Sequence, residues 1–324
     1  MKRNVHAMEG VVAERQRQSV ASKLSVDVIV RTLADARRSD LLFRALDSIR
    51  SQKGVEARPI VVVNGDRGDP RTLELLKNRS EVLLHRVVQA SAGIAKVEGR
   101  RLVTADFFAY LDDDDELIPD SLREPLDWLE SHPDCDVVIS NGYFVKADGK
   151  LSELIHIADH LKTGDPALSL LEDSWLQPGA FVCRTKSIPP DMMSGDWSYM
   201  EWTRLAYEIC AANKRLHFMD VPTVLYHDTP GSMSKQLQQD KAALELMRSI
   251  RTDSRASRKV RARANSKYHN ILHVLAMVSL MRGDPWRAWL YHLASMQPPH
   301  TFKYLLFSRK LLWPKYRGGN GSPG

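Results

Sequence analysis

Four adjacent carboxylates, Asp112-Asp113-Asp114-Asp115, are the part of this sequence most ready for chemistry. They follow residues 107–111, an apolar run of the length of a buried strand. Carboxylates this close repel one another, a cost that solvent tolerates and a divalent cation turns into binding. Alternate residues of an extended chain share a side. Asp112 and Asp114 can therefore work together, one toward a ribose or phosphate and the other toward a metal. Oxygen donors suit a hard ion, Mg2+ or Mn2+. A plainer reading has Asp115, Glu116 and Asp120 favouring the start of a following helix. It leaves Asp112 and Asp113 unexplained.

The neighbouring elements must hold that run in place. Residues 26–30 read as an apolar strand ending at Arg31-Thr32. A helix follows, with Ser39 as its cap and Leu41, Leu42, Ala45, Leu46 and Ile49 on one face, stopped by Gly54. Residues 59–63 form a second buried strand closed by Asn64-Gly65-Asp66, and Asp69-Pro70 opens a helix. Residues 82–88 predict a third strand, 92–103 a helix, 119–131 a helix, and 136–145 and 180–183 strands. Residues 196–212 predict a helix, and 216–226 a strand that Pro222 sends to an edge or bends. Strands apolar throughout and joined by helices indicate an α/β fold with a mostly parallel central sheet covered on both faces. Ligands of such sheets bind beyond the carboxyl ends of the strands. Arg31, Thr32, Asn64, Asp66 and the acidic run thereby become binding candidates.

Composition narrows the function classes. The chain has 324 residues, 43% hydrophobic and 27% charged, as a folded protein of about two domains would. Cys135, Cys183 and Cys210 are too few and too widely spaced for a disulfide scaffold or a zinc site, and read as reduced thiols of a cytosolic protein. No apolar run approaches the roughly 20 residues of a membrane span. The first 24 residues are polar and unlike a signal peptide. Charge is unevenly spread. Residues 251–324 hold fourteen Lys and Arg against two acids, a net of +12, while the preceding 250 carry 32 basic and 38 acidic residues, a net of −6. From 235 onward the pattern is helical, over about 235–251, 255–282, 284–296 and 299–312. The domain reading is a polar extension over 1–24, an α/β domain over 25–235, a basic helical region over 236–316 and a disordered tail over 317–324.

The order of motifs resembles a family 2 glycosyltransferase of the GT-A fold. The resemblance runs over about residues 25–235, through VDVIVRT, IVVVNGD, AGIAKVEGRRLVTADFFAYLDDDDELIPDSL, HPDCDVVISNGYF, PGAFVCR, GDWSYMEWTRLAYE and VLYHDTPGSMS. It implies an inverting, metal-dependent transferase using a nucleotide-sugar donor and Mn2+ or Mg2+, working cytoplasmically on a glycan or lipid-linked saccharide. It also implies roles. Asp112 touches the ribose, with Asp113 beside it, and Asp114 holds the metal on the diphosphate. His227 stands near metal and diphosphate, and Lys96 approaches the nucleotide. Asp196 is the general base, with Glu201 one helical turn away as its alternative, and Arg204 matches a basic position on the same helix. The acid that normally precedes the base is absent, because Gly195 stands there. Where the family has an aspartate that reads the base, this chain has Asn64, with Asp66 as a substitute.

Plainer readings stand beside these. Asp196 can cap the helix it precedes, Asn64 can be a turn residue before Gly65, Lys96 an ordinary helix-surface lysine and His227 a structural histidine. Trp197 and Trp202 can stack on an acceptor sugar or pack in the core. Residues 301–313, aromatic and basic, can lie on a membrane interface or pack back on the protein. Other classes fit less well. A nucleotidyltransferase or a dinucleotide-binding dehydrogenase wants a glycine-rich loop after the first strand, which Arg31-Thr32-Leu33-Ala34-Asp35 lacks. Nucleic-acid binding has no reading motif here. A catalytically degenerate GT-A module, binding glycans or acting as a scaffold, is the remaining alternative.

Overall fold

The computed structural model describes residues 24–89, 91–195, 199–227, 238–296 and 304–312. The chain packs as two compact units. The first takes the chain up to 154 with 178–194 and 215–227, and the second takes 155–177, 195–214 and the chain from 228 onward.

The first unit is built on a nine-stranded sheet. Its strands are β1 (Ser25–Thr32), β2 (Glu56–Asn64), β3 (Leu83–Val87), β4 (Phe107–Asp112), β5 (Glu116–Leu117), β6 (Val137–Val145), β7 (Leu151–Glu153), β8 (Phe181–Arg184) and β9 (Leu216–His227). Their order is β3-β2-β1-β4-β8-β6-β9-β5, with β7 paired to β6. The β3-β2-β1-β4 block is parallel throughout, and antiparallel pairings enter only from β8 onward. Helices α1 (Ser39–Arg50), α2 (Pro70–Lys77), α3 (Ala92–Arg101) and α4 (Arg123–Ser131) belong to this unit. Val26, Val28, Ile29 and Val30 of β1 are all buried, as are Ile60, Val61, Val62 and Val63 of β2. Helix α3 lies so close to the sheet that a Cβ on Gly99 would stand 2.5 Å from Ile29 Cγ2.

Three local expectations change. Ser39 lies inside α1 and is not its cap. Asp35 instead accepts from the Arg37 backbone N–H at 2.9 Å and starts a short 3-10 turn that runs into the helix. The helix expected over 119–131 begins only at Arg123. Ahead of it Glu116 and Leu117 form β5 against Leu225 and Val224, so Glu116 serves a strand and not a helix start. Pro222 bends β9 and does not send it to an edge. It faces Asn141, where the β6–β9 register slips and a missing N–H costs no ladder bond.

The second unit holds α5 (Ile157–Thr163), α6 (Pro166–Leu170), α7 (Glu201–Ala211), α8 (Gln238–Thr252), α9 (Arg258–Met281), α10 (Pro285–Ser295) and α11 (Ser308–Leu312). Segments 155–177 and 195–214 thus pack with the C-terminal helices. All three cysteines are free. Among the described residues no helix is long and apolar enough to cross a membrane.

Candidate active site

The carboxyl ends of β1 and β4 lie side by side, with Arg31 opposite Asp112 in register. The Asp115 N–H donates to the Asp112 carbonyl at 3.2 Å, closing the acidic run into a tight turn. Each carboxylate then meets a different environment. Asp112 is the open one, with its side chain 33% exposed and Arg31 Nη2 3.5 Å away. Asp113 is buried and accepts from Thr32 Oγ1 at 2.6 Å and from Arg38 Nη2 at 2.5 Å. Burial pushes its carboxyl up, and the Arg38 charge and the Thr32 hydroxyl pull it back. Asp114 is 3.0 Å from the same Arg38 nitrogen, while its carbonyl accepts from Arg44 Nη2 at 3.0 Å.

Asp115 is 1% exposed. Its Oδ1 accepts from the His227 backbone N–H at 2.9 Å, and its Oδ2 has no hydrogen-bond partner. Burial first, then the charges of Asp112, Asp114 and Asp113, push its carboxyl up to about 9. It is therefore protonated near neutrality. The β5–β9 pairing brings His227 to this end of the sheet, where its Nε2 lies 2.9 Å from Glu116 Oε1. Arg44 Nε holds the same Glu116 oxygen at 3.0 Å.

The site thus unites Thr32, Asp112, Asp113, Asp114 and His227. The other expected residues are distributed differently. Asn64, at the end of β2, accepts from the Ser91 N–H at 2.8 Å. Ser91 in turn caps α3, so Asn64 ties a strand end to a helix start and is more than a turn residue. Asp66 is exposed, and its carbonyl accepts from Arg86 Nη2 at 2.7 Å. Lys96 is buried on α3, which removes the helix-surface reading. Its carbonyl accepts from the Tyr110 hydroxyl at 2.7 Å.

Glu201 opens α7 in the second unit. Asp196 and Trp197 lie outside the described residues. The N-cap of α7 is Met200. Arg204 pairs with Glu208 and donates to Ser249 Oγ at 2.9 Å, which ties α7 to α8. Sequence reasoning missed Arg38, Arg44 and Glu116. A signal existed, since an acidic run this dense needs cations, and Arg37-Arg38 stands in the loop leaving the adjacent strand.

The donor set is chemically suited to a hard divalent cation, and one buried oxygen of the turn, Asp115 Oδ2, has no hydrogen-bond partner. Arg38 now occupies the cationic place beside Asp114. Among the described residues no group of three or more His, Cys, Asp or Glu side chains is arranged to hold a metal ion.

Residues 28–185 match Glycosyl transferase family 2. That stretch is a family 2 glycosyltransferase domain. It runs from β1 through β8 and contains the whole acidic turn. The fold agrees. S. aureus TarS 1–349 in complex with UDP-GlcNAc superimposes with a TM-score of 0.61 at 14% identity, covering 84% of this chain and 81% of that one. The same TarS region in complex with UDP gives 0.51 at 14% identity, covering 81% and 75%. The fold is GT-A, with helices following the sheet domain, and the chain is a glycosyltransferase. No curated protein matches it in sequence.

Proposed function

We propose that this chain moves a sugar from a nucleoside-diphosphate donor to a hydroxyl of a glycan or lipid-linked saccharide, with inversion at the anomeric carbon. The acidic turn at the carboxyl end of β4, inside the family domain, carries this reading. The TarS complex makes UDP-GlcNAc the first donor to try. Asp112 takes the ribose, and Asn64, Asp66 and Lys96 serve the nucleotide. Thr32 holds Asp113 in line, and Arg31 and Arg38 add positive charge where the diphosphate departs. Asp114, with His227 as the second candidate, would hold Mn2+ or Mg2+ in place of their present partners Arg38 and Glu116. Such an ion supplies electrostatic stabilisation of the leaving diphosphate. Asp196 takes the acceptor proton, with Glu201 the alternative. A hydroxyl is a poor nucleophile near neutrality, so a carboxylate that accepts its proton as the bond forms lowers the barrier. One base with in-line attack inverts the anomeric centre.

The test is calorimetric titration of UDP-GlcNAc with and without Mn2+, together with UDP release in the presence of acceptor. Asp114→Asn loses the Mn2+-dependent part of binding. Asp196→Asn keeps binding and loses turnover. If both variants match the parent, the assignment is wrong.

A further inference from the structure

Helix α10 has two apolar faces. On one, Ala288, His292 and Ser295 are buried, and Ala288 joins Ala276, Phe307 and Leu311 in a small core with Trp289 and Tyr291 packed against it. That face explains how α10 sits on α9 and receives residues 304–312. His292 Nε2 lies 2.7 Å from Ser308 Oγ, and the His273 ring stacks on Tyr304 at 4.0 Å. On the other face Trp286, Leu290 and Leu293 are 73%, 53% and 55% exposed. Spacings of four and three residues line them up on one stripe. A surface helix turns its polar side to water, so an outward apolar stripe led by a tryptophan marks a surface that something covers.

The charge around the stripe says what covers it. Leu305, Leu306 and Leu312 are also exposed in this unit, beside exposed Arg282, Arg287, Arg309 and Lys310. Over residues 281–312 Asp284 is the single acid, and it caps α10 while pairing with Arg287 at 3.3 Å. The chain from 251 to its end carries a net of +12. A second copy would bring one basic surface against another. A nucleic acid would meet the arginines and leave the stripe in water. An anionic bilayer satisfies both, since apolar side chains enter the boundary between headgroups and acyl chains while arginines meet lipid phosphates. We propose that α10 docks in the plane of an anionic lipid surface through Trp286, Leu290 and Leu293, flanked by Arg282 and Arg287. None of these residues belongs to the proposed donor site.

Co-sedimentation of the full chain with vesicles tests it. The parent sediments with vesicles containing about one-third phosphatidylglycerol and does so less as salt rises. The W286S/L290S/L293S variant loses about tenfold or more of that affinity. R282E/R287E, which leaves the stripe intact, loses the preference for anionic lipid. All substituted side chains are exposed, so circular dichroism and melting match the parent and report folding. The proposal falls if the parent stays in the supernatant, if it sediments equally with pure phosphatidylcholine, or if the triple variant sediments like the parent. It also falls if sedimentation equilibrium shows a parent dimer that the triple variant abolishes. UDP-GlcNAc titration of the triple variant is unchanged, so failure here and failure of the transferase reading are separable.

Discussion

The Arg38 guanidinium stands 3.0 Å from the Asp114 carboxylate. Its same nitrogen reaches the buried Asp113 at 2.5 Å. One arginine therefore neutralises two members of the acidic turn, and it does so from the loop between β1 and α1. Two consequences can be measured.

Arg38→Gln strips a buried carboxylate of its charged partner. Losing one member of a buried pair costs about 3 kcal/mol. Urea unfolding of Arg38→Gln should show a loss of that order. The Arg38→Gln/Asp113→Asn double variant should recover much of it, because the stranded charge is gone.

The same substitution bears on metal. On the proposed assignment of a metal to Asp114, the Arg38 pair competes with the ion, and removing Arg38 should tighten Mn2+ binding. Calorimetry should record a several-fold lower dissociation constant for Mn2+ in Arg38→Gln than in the parent, and Asp114→Asn should cancel the gain. An unchanged constant would remove Asp114 from the metal site.

Asp115 makes stability depend on pH. Its folded-state pKa of about 9 is above the ordinary carboxylate value, so the folded chain keeps a proton that the unfolded chain releases. The contribution is fully present below the unfolded pKa. It then falls by up to about 1.4 kcal/mol per pH unit as pH rises through the window, and levels off above the folded value. Asp115→Asn mimics the protonated form and should flatten this slope. Urea midpoints at intervals between pH 6 and about 9 compare the two.

Asp27 is a structural carboxylate inside β1. It takes Arg58 Nε and Nη2 at 2.8 Å each and the N–H groups of Thr104 and Ala105 at 2.8 and 3.0 Å. Asp27→Ala leaves these donors unsatisfied next to β4 and should cost about 3–5 kcal/mol in thermal or urea unfolding.

The base assignment separates by kinetics. Asp196→Asn should lower kcat by about 10²–10⁴-fold with donor affinity unchanged. Glu201→Gln should stay near the parent. The reverse pattern would transfer the role to Glu201.

The alternation of buried strands and helices, the acidic run at a strand end, and the order of motifs that resembles the family are all legible in the amino-acid order. These are properties of short windows, where hydrophobic period and turn chemistry are local. Residues 26–30, 59–63 and 107–111 became β1, β2 and β4 for that reason. Tertiary structure decided what neutralises the acids. Arg38 meets Asp113 across 75 positions, and His227 meets Glu116 across 111. Strand pairing, and not spacing along the chain, brings those groups together. It also decided that Lys96 is buried, that Glu116 joins β5, and that α10 turns one apolar face inward and another outward. A single helix can be read as amphipathic from its own period, but only its packed neighbours say which apolar side is left for a partner.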